Sequence, residues 1–349
     1  MNIIHRPGLI AVLLSAIFGM YAMPLLAVQV DHLYEASVPV ADQNPSSRVA
    51  ALREILKKVV TKVSGQSVLP ASLIREAGSI EHMVEQFGYD SRQENGGRQL
   101  QLWAKLNPDS VKRLIRDAQL PVWPEERPAT LVWIGIEGSA GREVLAEGST
   151  NETMTLLQEV ATERGLPIVL PIMDLQESSV INADVLAAMQ AEVISLSSEK
   201  YGTDYVLTGY LQRTDAGLWR GRWKLAGEGE RLVTTAPGPL SDIIHAGIDP
   251  LATRIASQFA SYSYVDGEQY IDLAIDDING AEDYARSLKY LQSLSVVSNV
   301  DVVGVDKQKV NFRLHTRADM ASVLQVIGLG RVLYARENVI DQLVFGLNP

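Results

Sequence analysis

The chain has 349 residues, 46% of them hydrophobic and 21% charged, with a formal net charge of −11 and no cysteine. At roughly 100 to 200 residues per domain, two or three folding units are expected. The acidic balance excludes a strong non-specific nucleic-acid binder, and the missing cysteine excludes disulfides, thiolate metal sites, a cysteine nucleophile and lipid anchoring on cysteine.

Residues 1–27 read as a secretory leader. His5 and Arg6 precede an apolar run from Leu9 to Leu26, Pro24 interrupts it, and the small Ala27 marks a cleavage point before Val28. The run from Leu9 to Val28 is also long enough to cross a bilayer if it is not cut. Two fates therefore stay open, a free periplasmic chain or one held at the inner membrane. Cleavage removes only Arg6 among the lysines, arginines and acids and leaves a net charge of −12. No later run is apolar enough to span a membrane, so any other membrane association has to come through a partner.

The first expected unit, residues 28–125, begins with an alternating strand (Val28, Val30, Leu33, Val38). Next comes a helix capped by Asn44, with Pro45 at its first position and Gly65 as its stop. Its apolar stripe is Leu52, Ile55, Leu56, Val59, Val60 and Val63, and its lysines and arginines read as a solvated face. A short helix over 80–87, a hairpin turning at Glu94–Gly97 and a helix opened by Asn107 and Pro108 complete a βαββα order. The proline-rich segment Pro121–Pro128 reads as the boundary.

The second unit, residues 126–262, opens with the buried strand Thr130–Ile136 and a helix started by a Ser149–Glu152 capping box and closed by Gly165. A strand at Leu166–Leu170, one helix over Ala183–Ser198, an antiparallel meander over 205–235 and a long helix kinked at Pro250 follow. The third unit, residues 263–349, reads as βαββαβ, a ferredoxin-like module, with a further short strand at Ile340–Phe345. The expected fold class is thus mixed α/β and α+β: three small modules of helices on mixed or antiparallel sheets. Charge divides unevenly, with 12 basic and 12 acidic groups in the first unit, 10 and 18 in the second, and 8 and 12 in the third. The neutral first unit is the least repelled by an anionic partner.

Motifs for chemistry are sparse. His32, His82, His245 and His315 have no metal-ligand spacing, and neither a G-x-S-x-G elbow nor a P-loop occurs. Gly135, Gly138 and Gly141 read as a loop between strand and helix. Asp272, Asp276 and Asp277 lack the pattern of a calcium loop. No cofactor and no metal are expected. The one distinctive local feature is the strand Leu218–Leu225, where Trp219 and Trp223 share one face and Arg220 and Arg222 the other. Those four residues are the candidate binding surface for a glycan or a partner strand, against the plainer reading that the tryptophans pack beneath helices.

Several stretches resemble an uncharacterised family of proteobacterial secreted proteins, domain-of-unknown-function family 2066. They are Leu33–Val40, Lys62–Gly65, Gln86–Tyr89, Leu120–Pro124 leading through Arg127 and Pro128 to Trp133, Arg164–Pro167, Leu170–Leu175 and Tyr201–Gly209. The resemblance implies an extracytoplasmic protein and supplies no activity. In element order alone the chain is also similar to envelope-assembly modules, including the flagellar assembly protein T and the N-terminal domain of the Tol-Pal translocation protein. The leading expectation is a non-catalytic periplasmic scaffold or adaptor with an envelope protein partner. A carboxylate-dependent glycan hydrolase is the alternative, and a small-ligand binding protein with a pocket between the first two units is the third reading.

Overall fold

The computed structural model describes residues 28–348 apart from 95–96, 140, 227–231, 261–263, 331 and 337–342. The expected leader and its cleavage point at Ala27 lie outside the described residues, as do part of the first hairpin turn and the start of the expected terminal strand.

Apolar periodicity builds the first sheet and its covering helices. After β1 (Val28–Gln29) and β2 (Glu35–Pro39), α1 (Pro45–Ser64) buries Leu52, Ile55, Leu56, Val59, Val60 and Val63. Asn44 precedes α1 without capping it through its side chain. Its own N–H and Nδ2 instead donate to the carboxylate of Asp42 at 3.0 and 2.9 Å. Gly65 closes α1 in the left-handed region, φ 71°, its N–H bonded to Thr61 O. After α2 (Leu73–Glu76), the expected helix over 80–87 is only a 3-10 turn, Ile80–Met83. From Val84 the chain is β3 (Val84–Glu94), recruited into a long antiparallel hairpin with β4 (Gly97–Leu106). The sheet runs β2-β4-β3, and α3 (Pro108–Asp117) follows, capped by Asn107, which accepts from Ser110 N at 2.9 Å.

β5 (Glu126–Arg127) returns to pair with β1, so the boundary segment is itself a strand. β6 (Thr130–Gly138) then turns at once into β7 (Gly141–Val144). The glycines expected in a strand-to-helix loop thus make a hairpin. α4 (Glu152–Arg164) is capped by Asn151, which accepts from Met154 N at 2.9 Å. Ser149, expected to cap, instead accepts from Ala146 N. β8 (Ile168–Val169) and α5 (Leu175–Val180) follow, α5 opened by an Asp174–Glu177 capping box. The single helix expected over 183–198 is split into α6 (Ala183–Ala187) and α7 (Ala191–Ser198), because Met189 sits at φ 51°.

β9 (Tyr205–Arg213), β10 (Trp219–Leu225), β11 (Leu232–Thr234) and α8 (Leu240–Phe259), with Pro250 inside it, complete this part. The six-stranded sheet runs β11-β10-β9-β6-β7 with β8 also beside β6. β6 is parallel to β8 and β9. Helices cover both faces, and two buried clusters form against them.

The last part is β12 (Tyr264–Asp276), α9 (Ala281–Ser293), β13 (Val297–Asp306), β14 (Lys309–Ala318), α10 (Met320–Leu329), β15 (Leu333–Ala335) and β16 (Leu343–Leu347). The expected βαββαβ order is present, but the sheet runs β13-β14-β12-β16-β15. β16 lies parallel to β12 and displaces β15 to the edge. The reason is burial: Val344, Phe345, Gly346 and Leu347 are all buried, which suits an interior strand. The chain is therefore mixed α/β, with sheets of three, six and five strands.

Candidate functional site

Trp219, Arg220, Arg222 and Trp223 do not form one binding surface. Trp223 is 2% exposed and its indole N–H donates to Ile243 O at 2.9 Å beneath α8. A Cβ at Gly209 or Gly247 would come within 2.4 Å of its ring, so both glycines make room for it. Trp219 packs partly buried against the same core. Arg222 donates to Ala187 O at 2.7 Å and lies 5.3 Å from the Tyr210 ring centroid. Of the four, Arg220 alone is exposed. The cause is the position of β10, an interior strand with helices on both faces. The tryptophan pair belongs to packing.

Several of the acids are taken up in pairs with cations. Arg142 bridges Glu137 (3.2 Å) and Asp184 (2.5 Å). A hydrogen bond from Tyr210, followed by one from Arg142, lowers the Glu137 pKa, so it stays ionised rather than serving as a proton donor. Asp272 is held by both arms of Arg313 at 2.7 and 2.8 Å, and Arg336 joins Asp276 and Asp277. His315 stands between Asp301 (2.7 Å) and Glu268 (3.4 Å), one on each ring nitrogen. Among the described residues no three metal-ligating side chains converge.

The groups that do converge lie at the joint. The guanidinium of Arg127 is fully buried and donates to the carbonyls of Pro124 (3.0 Å), Lys62 (2.9 Å) and Gly165 (2.7 Å). These carbonyls include the C-terminal ends of α1 and α4, where the helix dipole is negative. Burial lowers its pKa to about 9, which leaves it charged at neutral pH. Nearby, the buried Lys62 donates to Glu35 O at 2.9 Å and His32 O at 3.2 Å. Burial, then the charge of Arg127, lowers the Lys62 pKa to about 8. Glu126, on the opposite side of β5, accepts from the N–H and the hydroxyl of Ser295 at 2.7 and 2.5 Å. Adjacent residues of one two-residue strand thus clasp the first and second parts (Arg127) and tie the joint to the third (Glu126).

Beside this joint opens a cleft of about 450 Å³ between α3, the segment Val122–Glu125 and the ends of β13 and β14. Its walls carry Lys112, Arg113, Arg116 and Arg317 against Asp109 and Glu125, a local reversal of sign in an acidic chain. The apolar surface comes from Trp123, Val296 and Val297 among others. Lys112 lies 5.7 Å from the Tyr34 ring centroid. Arg113 and Arg317 are exposed and have no carboxylate partner among the described residues. Trp123 is 1% exposed and its indole N–H is buried without a hydrogen-bond partner among the described residues. A buried donor of that kind costs about 1–3 kcal/mol. The arrangement can hold an anionic group with an apolar flank. It lies between the first and third parts, not between the first two.

Residues 27–124 match a family model described as a domain of unknown function, DUF8605. No curated protein matches the chain. The matched stretch contains three of the cleft's four cations and Trp123, while Arg317 comes from outside it.

Sequence reasoning singled out neither Trp123 nor the α3 cations as part of a site. The available signal was Lys112, Arg113 and Arg116 at one-, three- and four-residue steps on a short helix ending at the proline-rich segment. Nothing in the sequence joins that helix to Arg317, some 200 residues away.

Proposed function

We propose that the chain is an exported, non-catalytic adaptor of the cell envelope whose cleft beside α3 takes an acidic segment of a partner protein. The observation that carries this reading is the cleft itself: four cations against two acids in its walls, with Arg113 and Arg317 exposed. Clasping of the three parts by Glu126 and Arg127 supports a frame that holds the cleft in shape. Export rests on the leader read in residues 1–27 and on the resemblance to the secreted family 2066. Among the described residues no helix is long and apolar enough to cross a membrane.

The test is titration of the purified chain with a short acidic peptide, Glu-Asp-Glu, and with its lysine counterpart. The acidic peptide should bind, weaken with salt, and lose at least about tenfold in affinity in Arg113→Glu/Arg317→Glu. Equal affinity for both peptides would sink the cleft reading. A small anionic metabolite is the second reading, because the volume falls in the range of about 300–1,000 Å³ usual for small-ligand pockets. Binding of small anions in the absence of peptide binding would favour it. Export is checked by N-terminal sequencing of the fractionated protein, with Val28 as the expected first residue.

A further inference from the structure

We propose that the segment held in the cleft is the acidic end of an extended polypeptide, which continues out of the cleft as a strand added to the free edge of β13. The inference rests on the adaptor reading and names how the partner is held.

The cleft and the strand edge are continuous. Val297 and Ser298, which line the cleft, are the first two residues of β13. β13 pairs with β14 and with no other strand among the described residues, so its other side offers backbone donors and acceptors. Open edges are commonly protected by lysine or proline, and Val297–Asp306 contains neither. Val302, Val303 and Val305 are 41%, 56% and 65% exposed on this edge strand. The sequence is rich in valine, the type of residue that favours strand pairing.

Geometry limits the length of the added strand. Register shifts fall between Val297 and Asn299 and between Val302 and Gly304, leaving Asn299–Val302 as the uninterrupted run beside the cleft. Bulges of this kind restrict promiscuous pairing along the rest of the edge. Affinity from so short a ladder is modest, which makes a charged anchor at its end necessary for stable capture.

Charge fixes which end goes where. Cations gather on α3 and at Arg317, beside the start of β13, whereas Asp301 and Asp306 lie further along the strand. A partner acidic throughout meets those two aspartates, so the acidic residues belong in the cleft and neutral residues beside β13. An anionic membrane is the weaker candidate, because the chain as a whole carries −11 and is repelled by it.

The experiment compares three labelled peptides by fluorescence anisotropy on the full chain. The first is Glu-Asp-Glu alone, the second the same triplet extended by six alternating Thr and Val residues, and the third the extended peptide N-methylated at alternate positions. The extended peptide should bind about tenfold more tightly than the triplet. N-methylation should remove that gain, because it removes backbone donors. Arg113→Glu/Arg317→Glu should weaken triplet and extended peptide alike. Equal binding of triplet and extended peptide overturns strand addition and leaves the cleft reading standing. Failure of both to bind removes the cleft reading and this inference together. Tight binding of the extended peptide that ignores the charge reversal overturns the placement of the acidic end.

Discussion

The guanidinium carbon of Arg127 lies 3.8 Å from the ring centroid of Trp123, and both side chains are fully buried. One face of the indole therefore carries a desolvated cation whose hydrogen bonds go to backbone carbonyls. The pair locks the segment that lines the cleft to the ends of two helices.

Replacing Arg127 tests this lock. Arg127→Met keeps bulk but strands the carbonyls of Lys62 and Gly165, at about 1–3 kcal/mol for each unsatisfied group. Urea unfolding should show a lower midpoint for Arg127→Met, and Arg127→Lys should not restore it, because one ammonium cannot match the planar fork. An unchanged midpoint in Arg127→Met would show that the joint does not depend on it.

Gly65 is a second test of the same joint. Its φ of 71° disfavours any side chain, and a Cβ there would sit 2.1 Å from the Ala256 Cβ of α8. Gly78 has a similar φ of 62° with open space around it. Gly78→Ala should cost about 1–2 kcal/mol from conformation alone, and Gly65→Ala clearly more. Thermal unfolding of the two variants separates steric from conformational cost; equal losses contradict the close approach.

Lys62 predicts a dependence on alkaline pH. Its folded pKa, about 8, is below the ordinary value of 10.5, so between these values the unfolded chain binds more protons than the folded one. The sign is that stability from this group rises with pH through that window, its penalty being fully present below 8. Lys62→Met should flatten the rise in urea midpoint between pH 8 and pH 10. A wild-type midpoint that rises no more than the variant's over that range contradicts the assignment.

His315 gives the opposite sign. A hydrogen bond to Asp301 raises its pKa above 6.5. Its stabilising contribution is fully present below the unfolded value and is lost as pH rises through the folded one. The ring NMR titration of His315 should move to lower pH in Asp301→Asn. No movement on removing that carboxylate would show that the pair is not formed in solution.

Much of the fold was legible locally. The stripe of α1, its glycine stop, the Asn107 cap and the βαββ run of the third part each depend on neighbours a few residues apart, and each is present. Local signals also competed: Asn44 spent its hydrogen bonds on Asp42, and Ser149 bonded Ala146 while Asn151 took the cap. Residues 84–87 became strand because their partners on β4 lie across a hairpin. Strand order in the third sheet was not legible, since β16 gains its interior place only by being buried beside β12.

By itself, the sequence determined the mixed α/β class, the acidic balance and the absence of cysteine. The tertiary structure decided that Trp223 is core, that Arg127 and Glu126 point to different neighbours across one short strand, and that α3 faces Arg317 across a basic cleft. The physical reason is range. Helix stripes and caps are written within a few residues of sequence, whereas burial and charge convergence arise only when distant segments are brought together, as the clasp at Arg127 brings them here.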